Sequence, residues 1–433
     1  MTEQEGARAV RQVLLRMITP MIFLLFLSSL DRVNVSFAAL RMNADIGLSD
    51  AAYASGVSIF FVGYLLFQGP SLWLLDRIGA RLWIGVCVVG WGLVATAMAF
   101  IQDQTQFYVL RVLLGIFEAG FGPGSAYCCT RWVPRRFLTG AISKTTLAIP
   151  ISVIIGGPLS TSLMTWGAHS QFDGWRVMFF IEGAVTVLFG LLAFWWFIDR
   201  PGQARWLTGE EKAWLEGEIA KDRAAVEAKK EAVPLSRLLA SPRVWGAAFT
   251  WFSTLVGAYG LIYWLPLVVK ELSGVSDLSV GFLAAIPWIG VGAGMLTGGS
   301  ISDRRGERYF SVAVPAFLSG LAMAGAAFAG GGFLGLALLT LAGFLFGAAQ
   351  GAFWGVPTGF LTGGALTAGV ALINTIGSTG GLVGPKAFGW IREQTGGVTV
   401  PVLAMAGLLV LGAVTVLLIR PRPETSSGAP PTG

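Results

Sequence analysis

The chain has 433 residues, of which 54% are hydrophobic and 12% are charged, and its net charge is +6. Soluble domains carry about 25% charged residues, so the composition excludes an ordinary cytosolic enzyme, a disordered protein and a nucleic-acid binder. Three cysteines and one histidine exclude a disulfide scaffold and argue against a metal site. We therefore expect an integral membrane protein that needs no cofactor.

Apolar segments long enough to cross a bilayer recur twelve times. A spanning helix needs about 20 mostly apolar residues, and these runs are too long and too uniformly apolar for porin strands. No cleavable signal peptide is evident. We expect an all-α membrane protein with twelve spans, numbered 1 to 12 in chain order: 17–40, 52–75, 82–101, 106–130, 145–166, 177–198, 244–269, 278–300, 310–329, 333–359, 365–391 and 399–419.

The basic residues indicate the topology. With both termini cytoplasmic, 23 of the 30 Lys and Arg residues fall in cytoplasmic segments. The others lie on the outer side, at Arg41, Arg176, Lys270, Lys386 and Arg392, or inside spans, at Arg32 and Arg111. Because membrane proteins collect Lys and Arg in cytoplasmic loops, we expect a multi-pass protein, typical of a bacterial inner membrane. The positive charge then reflects topology rather than a polyanionic partner.

A polar stretch at 199–243 divides the chain. It separates an N-terminal half of six spans, 1–198, from a C-terminal half of six spans with a short cytoplasmic tail, 244–433. Thr208 and Glu211 have the spacing of a capping box, which predicts a short helix in the stretch. We expect a solvated cytoplasmic linker, because 45 residues are too few for a typical domain.

A motif is repeated in the two halves. Asp76-Arg77-Ile78-Gly79-Ala80-Arg81 follows span 2, and Gly299-Ser-Ile-Ser-Asp303-Arg304-Arg305-Gly306-Glu307-Arg308 follows span 8. Duplicated six-helix halves are typical of transporters. The motif resembles the signature of the major facilitator superfamily, although Leu72 replaces the leading glycine of the first copy.

The resemblance implies the major facilitator fold, with both loops acting as latches on the cytoplasmic face. The latch residues would be Asp76, Arg77, Arg81, Asp303, Arg304 and Arg308. The alternative is that the arginines only orient the chain beside a tight turn.

Further segments are similar to the anion:cation symporter family over nearly the whole chain. They are Leu30-Asp31-Arg32-Val33-Asn34, Phe60-Phe61-Val62-Gly63-Tyr64, Arg111-Val-Leu-Leu-Gly115-Ile-Phe-Glu118-Ala-Gly120, Ile149-Pro150, Gly156-Gly157-Pro158-Leu159-Ser160, Phe353-Trp354, Ala371-Leu-Ile-Asn374-Thr-Ile-Gly377 and Gly384-Pro385. The resemblance is nearest the branch that carries tartrate, phthalate, hydroxyphenylacetate and sugar acids.

Four charges lie inside the spans, where charges are costly and usually functional. Arg111 and Glu118 in span 4 are seven residues apart, or two helical turns, so both can line one cavity. Asp31 and Arg32 in span 1 diverge by about 100°, so one can face the cavity while the other faces a neighbouring helix. The alternative is two structural ion pairs, an expensive choice in a membrane.

Arginines suit a carboxylate because the guanidinium stays charged and can bind it bidentately. Carboxylates suit proton coupling because a poorly hydrated setting can raise a carboxyl pKa towards physiological values. By resemblance, Asp31 and Glu118 correspond to proton-coupling acids, and Arg32 and Arg111 to substrate-binding arginines.

Three further substrate contacts are implied by the same resemblance: Tyr64, Trp354 and Asn374. Each has an alternative role, because the two aromatic residues can serve in packing and Asn374 can bond a neighbouring helix.

Two other charges are expected to be structural. Glu182 lies near the predicted outer start of span 6, where a packing role is more common than proton coupling. Lys386 in span 11 can extend to the outer interface, or else attract an anion.

Four positions depart from the sugar-acid carriers that the chain resembles. Ile149 replaces a glutamine, Gly351 and Phe353 replace hydroxylated residues, and Ser29 replaces a tyrosine. Because unpaired hydroxyl groups are penalised in a binding site, we expect a less hydroxylated anion, such as an aromatic or short dicarboxylic acid.

The sequence therefore predicts a secondary transporter that imports a small organic anion with protons. No nucleotide loop, metal spacing or nucleophile–base pair indicates an enzyme. We expect a monomer in the lipid bilayer with no nucleic-acid partner. Anion exchange and drug/proton antiport remain alternatives on the same fold, since Gly156-Gly157-Pro158 partly resembles an antiporter motif, although two cavity arginines oppose a cationic drug.

Overall fold

The computed structural model describes residues 3–146, 148–227, 234–330 and 332–421. In this part of the chain every regular element is helical, and twelve helical segments are long and apolar enough to cross a membrane. The expectation of an all-α protein with twelve spans is confirmed. The spans are Glu5–Asp45, Asp50–Ile78, Ala80–Phe100, Gln104–Trp132, Ala148–Gly167, Gly174–Trp196, Pro242–Glu271, Asp277–Arg305, Tyr309–Ala329, Phe333–Gly359, Gly363–Thr395 and Thr399–Leu418.

Span 1 begins before its apolar run. An amphipathic helix, Glu3–Val13, continues through a π-helical segment, Leu14–Ile18, into the apolar helix Thr19–Asp45. Hydropathy could not predict this start because the first turns are polar. Gly6 lies directly against the ring of Trp214, so the amphipathic helix packs on the segment that follows span 6.

Three spans are interrupted helices. Span 4 consists of Gln104–Glu118 and Phe121–Trp132. Span 10 ends its α-helix at Phe353 before a short 3-10 turn, and span 11 is divided at Thr379. Interrupted helices in membrane proteins are tolerated where the irregular backbone is buried or lines a cavity. The breaks in spans 4 and 10 directly follow Glu118 and Phe353.

Glycines bring the backbones of spans 2 and 4 into direct contact. A Cβ atom on Gly115 would lie 2.0 Å from the carbonyl oxygen of Phe60, and one on Gly63 would lie 2.4 Å from that of Val112. Any larger residue at either position would therefore separate the two helices. This close approach places the Phe60 ring beside the guanidinium of Arg111.

The first part of the segment after span 6 packs on the first six spans, and its end packs on spans 7 and 11. It contains the helices Gly209–Glu227 and Leu235–Leu239. The predicted capping box is confirmed: the backbone N–H of Thr208 donates to Glu211 Oε2 at 2.9 Å, and the N–H of Glu211 donates to Thr208 Oγ1 at 3.2 Å. Trp206 stacks on Trp132 of span 4 with ring centroids 6.0 Å apart.

The first and last six spans meet on the face away from the chain termini. Arg41 at the end of span 1 pairs with Asp277 at the start of span 8, with 2.6 Å between Nε and Oδ2. Arg392 of span 11 lies 3.5 Å from Asp50 of span 2. The start of span 1 at Glu5 and the end of span 12 at Leu418 share the opposite face, because the number of spans is even.

Candidate functional site

The buried acid of span 4 pairs with the arginine of span 1. Arg32 Nη2 and Nε lie 2.6 and 3.2 Å from Glu118 Oε2, and Ser28 Oγ donates to the same oxygen at 3.1 Å. Glu118 is 1% exposed, and its Oε1 has no hydrogen-bond partner in the described part of the chain. Three donors therefore converge on one carboxylate oxygen while the other oxygen is left without a donor.

Arg111 is also buried, at 1% exposure, but its partners are neutral. Its Nε donates to the carbonyl oxygen of Gly56 and its Nη2 to the hydroxyl of Tyr263, both at 3.4 Å. Among the described residues no carboxylate lies within 4.0 Å of this guanidinium. A buried cation without a direct ion pair is unfavourable, so Arg111 is suited to bind an anion.

The ring of Phe60 links the two arginines. The guanidinium carbons of Arg32 and Arg111 lie 5.1 and 5.0 Å from its centroid. Arg32 also lies 5.3 Å from the ring of Tyr64, which is one of the substrate residues that the sequence implied. These separations allow cation–π attraction. The structure thus brings Arg32, Arg111, Glu118 and Tyr64 together around one aromatic side chain.

Two tyrosines of span 7, Tyr259 and Tyr263, complete this site from the last six spans. Neither was among the residues expected from the sequence. The ring of Tyr259 lies 4.6 Å from that of Phe61, and the hydroxyl of Tyr53 donates to the carbonyl oxygen of Tyr263 at 3.0 Å. A signal was available, because Tyr259 and Tyr263 are four residues apart in an apolar span and so share a helix face.

Trp354 and a residue one turn from Asn374 contact another aromatic residue of span 7. The ring of Trp354 is 4.9 Å from that of Trp251, and Phe353 stacks on Trp251 at 4.7 Å. Gly377, one turn after Asn374, is also in close contact with Trp251. In the described residues neither Trp354 nor Asn374 hydrogen-bonds to the arginines of the site.

Asp31 faces the other side of span 1, as the divergence from Arg32 predicted. Thr186 Oγ1 of span 6 donates to Asp31 Oδ2 at 3.0 Å, and Asn34 Nδ2 donates to Glu182 Oε2 at 2.8 Å. Glu182 lies eight residues inside span 6, about 12 Å from its start, and so not at a helix end. No group of three or more metal-ligating side chains occurs among the described residues.

The two copies of the repeated motif make different contacts. Asp76 accepts hydrogen bonds from the hydroxyl of Tyr127 and from Arg131, the latter at 2.7 Å. Arg77 lies over the ring of Trp73 at 4.0 Å, and the backbone N–H of Arg81 donates to Asp199 at 3.0 Å. These contacts all lie within the region formed by the first six spans and the start of the linker.

In the second copy, Asp303 and Arg304 are exposed and make no hydrogen bond or ion pair with another described residue. Arg308 donates to the carbonyl oxygen of Gly355 at 3.0 Å. The motif glycines, Gly79 and Gly306, have φ values of +89° and +65°. Both turns therefore favour glycine, although their aspartates differ in their contacts.

Lys386 is exposed on span 11. No ion pair to it occurs among the described residues.

The fold and the buried charges define a multi-pass membrane transporter. Residues 21–385 match the family model of the Major Facilitator Superfamily, and the chain belongs to this superfamily. It is 39% identical over 98% of its length to a protein of Agrobacterium vitis provisionally named a tartrate transporter, of which 98% is covered. It is 36% identical over 96% of its length to a protein of Acinetobacter baumannii named a quinolone resistance transporter, of which 95% is covered.

A solved structure has the same fold. The inward open conformation of the xylose transporter XylE from E. coli superimposes with a TM-score of 0.74, at 15% identity, over 95% of this chain and 97% of that one. The relatives and the family model agree with the resemblance to an anion:cation symporter-like permease.

Proposed function

We propose that this transporter imports a small organic carboxylate together with protons. The observation that carries the proposal is the unequal state of two neighbouring buried arginines: Arg32 is paired with Glu118, whereas Arg111 has only neutral partners. Arg111 can thus bind an anion directly. Arg32 is held by Glu118, and a proton can neutralise this acid.

Protonation of Glu118 would remove the charge that holds Arg32. Arg32 and Arg111 would then both be available to a substrate carboxylate, and charge-assisted bonds from guanidinium groups are strong and directional. Loss of the proton would restore the ion pair and weaken substrate binding. Asp31, on the other face of span 1, is the second proton-coupling acid of the proposal.

Tyr64 lies against Arg32 and would contact the bound anion. Trp354 lies beside Trp251, and Asn374 lies one turn before Gly377, which also contacts Trp251. In this proposal both residues of the last six spans reach the substrate as the site closes.

The two sets of six spans, in the halves 1–198 and 244–433, would rock about this site to alternate its access. Ion pairs such as Arg41 with Asp277 close the face away from the termini. With the termini in the cytoplasm of a bacterium, as the Lys and Arg distribution favours, this arrangement is inward-facing. The repeated motifs would latch the cytoplasmic face when it closes, through Asp76, Arg77, Arg81, Asp303, Arg304 and Arg308. A monomer suffices for this cycle.

The lining of the site favours a flat or short anion. The rings of Phe60, Tyr64 and Tyr263 lie against the guanidinium groups, and the ring of Tyr259 lies beside that of Tyr263. The provisional name of the Agrobacterium relative supports a dicarboxylate.

The second candidate is efflux or exchange on the same site. It is favoured by the relative named for quinolone resistance. In that mode the paired and unpaired arginines would bind an anionic or zwitterionic compound from inside, and inward proton movement would drive it out.

Uptake into proteoliposomes tests the proposal. Radiolabelled tartrate, phthalate, hydroxyphenylacetate, galactonate and glucarate are supplied with and without an inward proton gradient. At least one should accumulate when the gradient is imposed, and Arg111→Gln should abolish this. Lys386→Gln removes an exposed cation from span 11 and should leave uptake unchanged. Uptake insensitive to a proton ionophore but stimulated by preloaded anion would instead establish exchange.

A further inference from the structure

A second group of buried acids lies outside the arginine site. Glu182 of span 6 is 4% exposed and Asp31 of span 1 is 2% exposed. Asn34 Nδ2 and Ser160 Oγ each donate to Glu182 at 2.8 Å. Among the described residues no Lys or Arg nitrogen lies within 4.0 Å of either carboxylate. Both acids are therefore held by neutral donors alone.

The two acids lie close to each other on facing helices. Thr186 Oγ1 lies 3.0 Å from Asp31 Oδ2, and it also lies 3.0 Å from the backbone carbonyl oxygen of Glu182, one turn earlier in span 6. On span 1, Asn34 lies one turn from Asp31 and donates to the Glu182 carboxylate. Each acid is thus one helical turn from a side chain that contacts the other acid.

The surroundings provide little charge to balance two carboxylates. Glu182 and Glu118 are the acidic groups near Asp31. The neighbouring Arg32 is held by Glu118 on the other side of span 1. Span 3 presents Trp91 and span 5 presents Ser160, which are neutral. Two buried like charges without a cation are strongly unfavourable, and one proton removes most of this cost.

We propose that Asp31 and Glu182 share one proton and form a second proton site, separate from the pair of Arg32 and Glu118. This inference rests on the proposed proton-coupled function and assigns Glu182 a proton-holding role instead of a packing one. Asp31 and Arg32 are consecutive residues, so a rotation of span 1 that follows loss of the shared proton would move Arg32 relative to Glu118. Glu182 acts on the substrate site through span 1 and does not contact it.

The structure provides a conservative variant. Asn34 Oδ1 is buried and has no hydrogen-bond partner among the described residues, while its Nδ2 donates to Glu182. In Glu182→Gln the Asn34 amide can turn over and accept from the new amide group, so the packing of spans 1 and 6 is retained. Ser160→Ala is the matched control, because it removes one donor to Glu182 without removing the carboxyl group.

Infrared spectroscopy of the purified full chain tests the inference without any substrate. The carbonyl-stretch absorption of protonated carboxyl groups is followed from mildly alkaline to mildly acidic pH. The wild type should show a protonated carboxyl already at neutral pH. Glu182→Gln and Asp31→Asn should each lose it, whereas Ser160→Ala and Glu118→Gln should retain it. Absence of the signal in the wild type, or its retention in either Glu182→Gln or Asp31→Asn, would overturn the shared proton.

Transport separates this inference from the proposed function. If the wild type shows no proton-driven uptake of the five anions above, the proposed function fails whatever the spectra show. If the wild type is proton-driven and Glu182→Gln has the same proton-to-anion ratio, the inference fails and the proposed function stands. Should Glu182→Gln not fold, the wild-type signal and Asp31→Asn still decide.

Discussion

Arg32 and Glu118 are joined through one oxygen of the carboxylate. Oε2 receives both guanidinium bonds, at 2.6 and 3.2 Å, whereas Oε1 is buried without a hydrogen-bond donor in the described part of the chain. A proton can therefore add at Oε1 without first displacing Arg32. Once the acid is neutral, the Coulombic part of the interaction is lost and Arg32 is held more weakly.

This geometry predicts the effect of Glu118→Gln. The variant lacks the negative charge at every pH, so Arg32 should be available for the anion permanently. Binding of a transported anion should lose its pH dependence, and accumulation driven by a proton gradient should disappear while exchange of internal for external anion continues. Gradient-driven uptake and counterflow in the same proteoliposomes measure the two activities.

Glu118→Asp is the control, since it keeps a carboxyl group on a shorter side chain. It should retain some proton-driven accumulation. Full accumulation by Glu118→Gln would show that the proton is carried elsewhere.

Arg111 supplies the second prediction. It is 1% exposed and its hydrogen-bond partners are neutral oxygens. Arg111→Lys keeps the charge but loses the planar pair of donors. Loss of a charge-assisted bond costs about 1.5–3 kcal/mol, so affinity for a transported anion should fall about 10- to 100-fold. Equilibrium binding measures this change.

Tyr263→Phe is the matched control for Arg111. It removes the hydroxyl that accepts from Arg111 at 3.4 Å and keeps the ring, so affinity should change by less than Arg111→Lys changes it. Equal affinities in wild type and Arg111→Lys would place the anion elsewhere.

Much of this arrangement could be predicted from the sequence. Hydropathy located twelve spans, and helical geometry correctly separated Asp31 from Arg32. The partner of Glu118 could not be predicted, because the seven-residue spacing favoured Arg111 and the actual pair joins residues 86 positions apart in two spans. The site tyrosines of span 7 were also missed, since the contact of Tyr263 with Arg111 depends on how the two sets of six spans meet.

The repeated motif marks a further limit of sequence reasoning. Both copies have a glycine with positive φ, which the sequence of the turn requires. Whether the preceding aspartate pairs with a cation depends on tertiary packing. Asp76 pairs with Arg131, whereas Asp303 has no such partner among the described residues.

The contact of spans 2 and 4 gives the third prediction. A methyl group at Gly115 would lie 2.0 Å from the carbonyl oxygen of Phe60, so Gly115→Ala must separate the helices. Overpacking of this kind costs about 1–3 kcal/mol. Thermal denaturation should show a lower midpoint, and anion affinity should fall because Phe60 and Arg111 move apart.

Gly407→Ala in span 12 controls for helix propensity. A Cβ atom at Gly407 has no other heavy atom within 4 Å, so this variant should keep the wild-type midpoint or raise it slightly. Equal denaturation midpoints for the two variants would show that separating spans 2 and 4 does not lower the stability of the protein.

Asp277 provides the fourth prediction. It lies 2.6 Å from Arg41 and 2.8 Å from Lys270, and its side chain is 13% exposed. Asp277→Asn should weaken closure of the face away from the termini. Because Arg41 is 64% exposed, this ion pair should contribute up to about 1 kcal/mol. The fraction of molecules that are open on that face should therefore rise about two- to fivefold.

Distances between spin labels on spans 1 and 8 measure this population. Asp173→Asn is the matched control, because Asp173 pairs with Arg176 within one helix end on the same face and does not join the two sets of spans. A similar shift in both variants would attribute the effect to general surface charge.

The unequal motif copies give the last prediction. In the state described, Asp76 bonds Arg131 and Tyr127, whereas Asp303 makes no such contact. Asp76→Asn removes the charge that orders Tyr127 and Arg131, so the ends of spans 2 and 4 on this face should become more accessible. Asp303→Asn should leave the same ends unchanged. Alkylation of a cysteine introduced at Thr130 should therefore speed up in Asp76→Asn and not in Asp303→Asn, whereas equal rates would mean that Asp76 does not order this face.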